Sequence, residues 1–176
     1  MKTIDKYKKW YRTNRQLIEQ QFKQDANLFI ALIAATSPQM SLQGNWTLAL
    51  KIYKNYKKGI LPKQKNYTKY HYKNVIRALN RELLQGRKVQ NFYKALCGDK
   101  NAVVLDVWML RLLKYYPKHS HNPQGGTYDK IANKFKELAI EQGFIPVELQ
   151  AMLWFDYRKQ FGLDYVDFTS FVSEVR

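Results

Sequence analysis

A short turn between two predicted helices, LQGRK at 84–88, is the first place in this chain where residue type and position suggest chemistry. Backbone amides at the start of a helix have no partner within it, so with the helix dipole they can bind a phosphate without reading base sequence. Lys88 precedes the second helix. Asp106 stands at the head of the next helix, eighteen residues further on, with Trp108 and Arg111 shortly after it. The pattern indicates a phosphate-binding turn followed by an amine and a carboxylate.

The positive charge is concentrated in the first two-thirds of the chain. The 176 residues include 30 Lys and Arg against 14 Asp and Glu, giving a net charge of +16. Residues 26–81 contain ten of the basic groups and no acidic group. Lysines there, among them Lys51 and Lys54, are interleaved with tyrosines. Lysines can neutralise phosphates, and tyrosines can hydrogen-bond a phosphate or stack on a base. The expected partner is a polyanion, with a solvated lysine-rich face as the alternative interpretation.

The composition excludes several classes of protein. With 45% hydrophobic and 15% aromatic residues the chain can bury a core, which excludes a wholly disordered protein. A single cysteine, Cys97, excludes an intramolecular disulfide, a four-cysteine iron–sulfur cluster and a cysteine-based zinc site. His119 and His121 lack a third ligand at a recognisable spacing, so we expect no metal. No apolar run reaches the ~20 residues of a membrane span, and no apolar segment follows the basic N-terminus. We expect an intracellular protein, cytoplasmic or nucleoid-associated, without signal peptide or membrane contact.

The elements that must position these residues are predicted to be helical. Apolar spacing, helix caps and Gly or Pro breaks predict an all-α bundle of about eight or nine helices. The helices are expected near 4–22, 27–36, 42–56, 72–83, 88–98, 106–116, 127–142, 146–161 and 166–175. We expect one globular domain over 1–176, or two lobes: a helical barrel with the hairpin at 26–116, and a second lobe from 1–25 plus 117–176.

Two of these segments resemble the helix-hairpin-helix DNA glycosylase superfamily of the endonuclease III type. Gly86-Arg87-Lys88 matches the glycine, arginine and lysine of that family's hairpin. Val104-Leu105-Asp106 matches its apolar step into an aspartate, at the family's lysine–aspartate separation of eighteen. Arg111 sits where the family often has an arginine. The hairpin differs from the family pattern in being about one residue shorter and in lacking its first glycine and its proline.

The resemblance extends over roughly residues 25–162. Segment 27–53 is similar to the family's apolar helix, its polar loop and the next helix with its asparagine, here Asn45. A late helix at 146–162 is a weaker match. Val107 follows the aspartate where many members have a small hydroxyl residue, and no iron–sulfur cysteine motif follows. The resemblance therefore implies a minimal, cluster-free member with the family's helical fold.

The resemblance implies a role for each matching residue. Asp106 would stabilise the positive charge that develops on a deoxyribose, and Lys88 would attack its anomeric carbon and form a Schiff base. The target base would leave the stack, with Gln39 or Met40 filling the gap. Further roles are a base pocket of Trp108, Trp154 and Tyr157, and DNA contacts from Gly86, Arg87, Gln39, Met40, Asn45, Lys51, Lys54 and Arg111. The chemistry needs no cofactor and no metal.

We therefore expect a base-excision enzyme that binds double-stranded DNA as a monomer and cleaves an N-glycosidic bond, with or without AP lyase activity. One alternative keeps the fold but modifies DNA bases, as in viral base hypermodification. A second is a non-catalytic basic DNA-binding module, in which Asp106 and Lys88 are structural. An RNA-binding protein fits the charge and the tyrosines but not the lysine–aspartate spacing.

Overall fold

The chain folds into α-helices joined by short segments. The computed structural model describes residues 3–115 and 126–175, and these ranges contain nine α-helices, three 3₁₀ helices and no β-strand. The all-α prediction is confirmed for this part of the chain. The helices are α1 (Thr3–Lys8), α2 (Trp10–Phe22), α3 (Ala26–Thr36), α4 (Leu42–Lys57), α5 (Lys69–Leu79), α6 (Arg87–Leu96), α7 (Val107–Leu112), α8 (Gly126–Glu141) and α9 (Pro146–Lys159), with 3₁₀ helices at Lys23–Asp25, Gln64–Asn66 and Phe168–Val175.

Three helices begin at a residue whose side chain caps them. The Ser41 hydroxyl accepts a hydrogen bond from the Gly44 amide at 3.1 Å at the start of α4. The Thr68 hydroxyl accepts from the His71 amide at 3.2 Å at the start of α5. Asp106 caps α7 in the same way. Each cap satisfies an amide that the helix leaves without a partner, which is why the chain turns into a helix at these positions.

The fourth predicted helix ends earlier than its apolar spacing suggested. The spacing of Leu79 and Leu83 predicted a helix as far as Leu83, but α5 ends at Leu79. Arg81 has a left-handed φ of 58°, and the Glu82 amide donates back to the Arg77 carbonyl at 2.8 Å. Leu83 is 72% exposed. A left-handed residue ends the helix here without a glycine, and the apolar pattern did not reveal it.

Two further segments differ from their predictions. The C-terminal segment, expected as a short α-helix, is a 3₁₀ helix. Helix α7 ends at Leu112, because Lys114 adopts a left-handed φ of 55°. The predicted loop at 117–126, with His119 and His121, lies outside the described residues apart from Gly126, the first residue of α8. No helix in the described ranges is long and apolar enough to cross a membrane.

The chain divides into two compact units, each assembled from two segments. The first unit comprises Met1–Thr13 with Gly86–Tyr165, and the second comprises Asn14–Gln85 with Val166–Arg176. The lobes expected from the sequence, 26–116 and 1–25 plus 117–176, have different boundaries. The candidate catalytic residues Lys88 and Asp106 therefore both belong to the first unit.

The second unit is built around α3, whose side chains are largely buried. Helices α4 and α5 pack against α3, and the C-terminal 3₁₀ helix packs against α4. The rings of Phe22 and Phe29 stack at a centroid distance of 3.7 Å, and Trp46 meets Phe29 edge-on at 5.0 Å. Phe168 closes this core against Trp46. The apolar run at 27–36 is thus a core helix, as its composition predicted.

The first unit is built around α9, against which α1, α7 and α8 pack. Phe155 on α9 stacks with Tyr7 at 5.2 Å and lies 6.0 Å from Trp10. In the same unit, Tyr128 of α8 is fully buried in a cluster that contains Leu105 and Met109. Aromatic residues far apart in sequence therefore form the core that supports α7 and its capping aspartate.

Candidate active site

Asp106 follows a buried segment that a single tyrosine holds in place. The hydroxyl of Tyr128 donates to the Val103 carbonyl at 2.8 Å and accepts from the Leu105 amide at 3.0 Å. Both groups belong to a segment that makes no regular secondary structure, so Tyr128 satisfies polar atoms that would otherwise be buried without partners. The position of the backbone just before Asp106 is set by this contact.

The Asp106 carboxylate is oriented by three N–H donors. Its Oδ1 accepts from the backbone amides of Trp108 at 3.0 Å and Met109 at 2.9 Å. Its Oδ2 accepts from the indole N–H of Trp154 at 2.7 Å. The amides come from the first turn of α7, whose dipole favours a negative charge at this end. Asp106 is half-buried, so its carboxylate is held in one orientation in a partly desolvated place.

Lys88 lies in the first turn of α6, and its amine is buried although the residue as a whole is half-buried. Burial lowers the pKa of Lys88 from 10.5 to about 8, and the negative charge of Asp106 opposes this with a smaller effect. The Nζ atom lies 5.3 Å from the centre of the Phe92 ring. At pH 7 about one amine in ten would be neutral, against about one in three thousand for an ordinary lysine.

Two buried tyrosines, Tyr11 and Tyr128, interact electrostatically with Asp106. The Tyr11 hydroxyl donates to Gln150 Oε1 at 2.8 Å, and both side chains are buried. Burial raises the pKa of Tyr11 well above 10, and the charge of Asp106 adds to that rise. Burial also raises the pKa of Tyr128. Both phenols therefore stay neutral at physiological pH. Neither of them adds a negative charge near Asp106.

Arg158, on α9, is a further member of this site. Its guanidinium carbon lies 4.0 Å from the Trp154 ring centre and 5.8 Å from that of Trp108. Nε and Nη1 are buried and have no hydrogen-bond partner among the described residues. Burial lowers the pKa of Arg158, opposed by the charge of Asp106. The spacing of four between Trp154 and Arg158 on one helix is the signal that could have revealed the stack.

The three residues predicted to form a base pocket all lie in the first unit. Trp108 and Tyr157 meet edge-on at a centroid distance of 6.4 Å, and the Arg158 guanidinium lies over the rings of both Trp108 and Trp154. Phe161, which the sequence did not single out, lies 5.5 Å from Trp108 and 5.3 Å from Tyr157 and is 57% exposed. An exposed aromatic ring therefore lies beside Trp108, whose backbone amide donates to Asp106.

The remaining candidate DNA contacts of the first unit are exposed. Gly86 precedes α6 with a φ of 91° and offers no side-chain cap, so the first amides of α6 have no side-chain acceptor there. Arg87 is paired with Asp129 at 2.9 Å. The guanidinium of Arg111 lies 5.1 Å from the centre of the Trp108 ring.

In the second unit, the loop with Gln39 and Met40 is exposed, whereas Asn45 is not. Gln39 has a left-handed φ of 58°, and Met40 is 37% exposed. His71 Nε2 lies 2.8 Å from the Pro38 carbonyl oxygen and so ties this loop to α5. Asn45 is 2% exposed, and its Oδ1 accepts from the Thr36 hydroxyl at 2.6 Å. That bond joins α3 to α4 inside the core, so the structure gives Asn45 a packing role.

Lys51 and Lys54, also in the second unit, differ in their surroundings. Lys51 is exposed, whereas the Lys54 amine donates to the Glu174 carbonyl at 2.9 Å.

Next to the predicted hairpin, the buried Asn74 makes two hydrogen bonds to the backbone of Gln85. Its Nδ2 donates to the Gln85 carbonyl at 3.0 Å, and its Oδ1 accepts from the Gln85 amide at 2.7 Å. The turn is thus held by a side-chain amide of α5.

Comparison with known proteins gives a family but no activity. Within residues 3–115 and 126–175, no group of three or more His, Cys, Asp or Glu side chains is arranged to hold a metal ion. No curated protein matches the chain, and no solved structure matches it. Residues 1–161 match a family model, and the chain therefore belongs to the family described as a family of unknown function (DUF7178).

Proposed function

We propose that this protein is a helix-hairpin-helix DNA glycosylase that flips a damaged or modified base out of double-stranded DNA and cleaves its N-glycosidic bond, with Lys88 giving it AP lyase activity. One observation carries the proposal. The Asp106 carboxylate is oriented by three N–H donors. It acts electrostatically on the buried amine of Lys88, whose pKa is about 8. Such a pair is suited to attack at an anomeric carbon.

Asp106 would stabilise the transition state. Cleavage of an N-glycosidic bond builds positive charge on the deoxyribose, and a fixed carboxylate beside C1′ lowers the energy of that charge. Because the Trp108 and Met109 amides and the Trp154 indole already orient the carboxylate, no reorganisation is needed as the charge forms. A half-buried position strengthens the interaction relative to water.

Lys88 would act as the nucleophile. The lone pair of its neutral Nζ forms a bond to C1′, while the base departs with the electron pair of the glycosidic bond and takes up a proton. The amine then loses its proton as the sugar ring opens, which gives a Schiff base. Loss of a proton from C2′ then expels the 3′ phosphate by β-elimination, which breaks the C3′–O bond and nicks the strand. Burial of the amine supports this role because it supplies a usable neutral fraction at physiological pH.

The charge distribution supports DNA as the partner. Seven lysines of the acid-free stretch are exposed, namely Lys51, Lys57, Lys58, Lys63, Lys65, Lys69 and Lys73. If these lysines neutralise even ~6 phosphates, the affinity for DNA should fall by roughly a thousandfold when the salt concentration is raised from low to moderate. Gln39 and Met40, on an exposed loop, are the candidates for filling the gap that a flipped base leaves.

Borohydride trapping on duplex DNA with one abasic site tests the proposal. The wild type should give a covalent protein–DNA band that Lys88→Gln removes. Lys94→Gln is the matched control, since Lys94 is an exposed lysine of the same helix, and it should trap normally. A band that persists in Lys88→Gln would show that another amine is used and that the lysine assignment is wrong.

Base release gives the second test. Asp106→Asn should lose release of a modified base while its affinity for duplex DNA stays within a few-fold of wild type. A non-catalytic DNA-binding module would give no trapping and no base release. A base-modifying enzyme would consume a second substrate and leave no abasic site. Either result would overturn the proposed excision activity.

A further inference from the structure

We propose that Arg158 binds the oxygen atoms of the flipped base and stabilises the negative charge that the base acquires as it leaves. This rests on the proposed function and adds a substrate class to it: bases with a carbonyl oxygen that takes up charge when the glycosidic bond breaks. The observation behind it is a guanidinium stacked on Trp154 at 4.0 Å whose Nε and Nη1 are buried without a hydrogen-bond partner among the described residues.

Unpartnered buried donors point to a ligand. A buried N–H without an acceptor is unfavourable by about 1–3 kcal/mol, and more for a charged group, so folded proteins rarely keep two on one side chain. Arg158 is held by the ring of Trp154, and no carboxylate within residues 3–115 and 126–175 forms an ion pair with it. Nε and Nη1 thus have no acceptor within the described part of the chain, and an acceptor from a ligand would satisfy them.

The surroundings of Arg158 favour a base over a phosphate. The guanidinium lies within 4.0 Å of the Trp154 ring centre and 5.8 Å of the Trp108 ring centre, and Trp108 in turn contacts Tyr157 and Phe161. Aromatic rings bind the faces of bases, whereas phosphates are bound at exposed lysines and helix N-termini. An acceptor that enters among these rings would belong to a flat, mostly apolar group with oxygen atoms at its edge.

Trp154 contacts both a carboxylate and a guanidinium. Its indole N–H donates to Asp106 Oδ2 at 2.7 Å, and its ring face carries Arg158. As the glycosidic bond breaks, the sugar becomes positive and the base becomes negative. Asp106 would stabilise the first charge and Arg158 the second. The electron pair of the bond moves onto the base and its carbonyl oxygen, and the base is protonated after it leaves.

The position of Arg158 predicts which bases are released faster because their negative charge is stabilised as they leave. Uracil, hydroxymethyluracil, hypoxanthine and oxidised guanine carry a carbonyl oxygen and leave as anions. Alkylated purines with a fixed positive charge leave as neutral molecules, so a guanidinium beside them gives no stabilisation and repels the ground state. We therefore expect oxo-bearing bases as substrates and cationic alkylated bases as poor ones.

The test compares the wild type with Arg158→Gln on two kinds of short duplex. One holds a tetrahydrofuran abasic analogue, which has no base. The other holds, at the same position, uracil, hydroxymethyluracil, hypoxanthine or oxidised guanine on a fluorinated sugar that resists cleavage. The wild type should bind at least one of the base-bearing duplexes better than the abasic one. Arg158→Gln should lose about tenfold or more of that preference and keep its affinity for the abasic duplex.

Two further variants make the result specific. Arg158→Lys keeps the charge but not the planar donor set, so it should restore little of the preference. Lys159→Gln removes a charge from the exposed next position of α9 and should bind both duplexes as the wild type does. Normal abasic binding by Arg158→Gln would also show that the variant is folded.

Other outcomes separate this inference from the proposed function. Equal loss of affinity for both duplexes would assign Arg158 to a phosphate and overturn the base contact. A wild type that prefers no base-bearing duplex would also overturn it. Trapping at an abasic site needs no base, so it reports on Lys88 independently. If the wild type is trapped but Arg158→Gln keeps the wild-type base preference, the role of Arg158 is overturned and the proposed function is not.

Discussion

Replacing Lys88 with methionine should stabilise the protein at neutral pH. In the folded protein burial lowers the pKa of Lys88 from 10.5 to about 8, so at pH 7 the folded state holds a charged amine where it is poorly solvated. A pKa lowered by that amount corresponds to about 3 kcal/mol of unfavourable free energy. Because the residue is only half-buried, solvent screens part of this, and we expect a gain of about 1–3 kcal/mol.

The gain should depend on pH in a defined direction. The folded wild type loses the lysine proton near pH 8, whereas the unfolded chain keeps it until about 10.5. Between these values the unfolded state binds more protons, so the wild type becomes more stable relative to Lys88→Met as the pH rises. The advantage of the variant should be full below pH 8 and nearly absent above 10.5.

Urea unfolding followed by tryptophan fluorescence at several pH values measures this difference. Lys94→Met is the matched control, because Lys94 is an exposed lysine of the same helix; its stability difference from wild type should stay constant with pH. A Lys88→Met protein that is less stable than wild type at pH 7, or a gain that does not change with pH, would refute the reasoning that the amine is desolvated.

Three further predictions concern catalysis and the hairpin. The rate of borohydride trapping should rise with pH and level off near 8, where Lys88 becomes neutral, instead of rising towards 10.5. Trp154→Phe removes the donor to Asp106 but keeps an aromatic ring, so single-turnover base release should fall about tenfold with unchanged DNA affinity. Asn74→Ala leaves both backbone groups of Gln85 without this partner and should lower the free energy of unfolding by about 1–3 kcal/mol, measured in urea.

The parts of the site that depend on neighbouring residues could be predicted from the sequence. The apolar step before Asp106 and the helix after it indicated a capping aspartate, and the side chain does accept from two amides of α7. The helix at 27–36 was predicted equally well, because its apolar run ends shortly before Pro38. Caps and helix ends of this kind are set within a few residues, so a single sequence reveals them.

The remaining parts depend on contacts that no spacing rule describes. Trp154 lies 48 residues from Asp106, and Tyr128 lies 25 residues from Val103. Which of the many aromatic residues meets the carboxylate follows only from how α7, α8 and α9 pack. The end of α5 was missed for a different reason: a non-glycine residue, Arg81, adopts the left-handed conformation that stops the helix, and no local signal marks it.

The division into two units has a consequence for any attempt to study them separately. Each unit consists of two stretches of sequence, so a single cut in the chain isolates neither. A fragment that starts at Gly86 would lose Tyr7 and Trp10, the rings that pack on Phe155 of α9. Helix α9 also carries Trp154, which orients the candidate catalytic carboxylate.

The same holds for the second unit. A fragment that ends at Gln85 would lose the C-terminal segment, in which the Phe168 amide donates to the buried Asn14 side chain at 2.6 Å and the Phe168 ring packs on Trp46. Each unit would have to be expressed with its two stretches joined by a linker. N-terminal truncation, which usually removes a dispensable segment, would here act on the candidate catalytic unit.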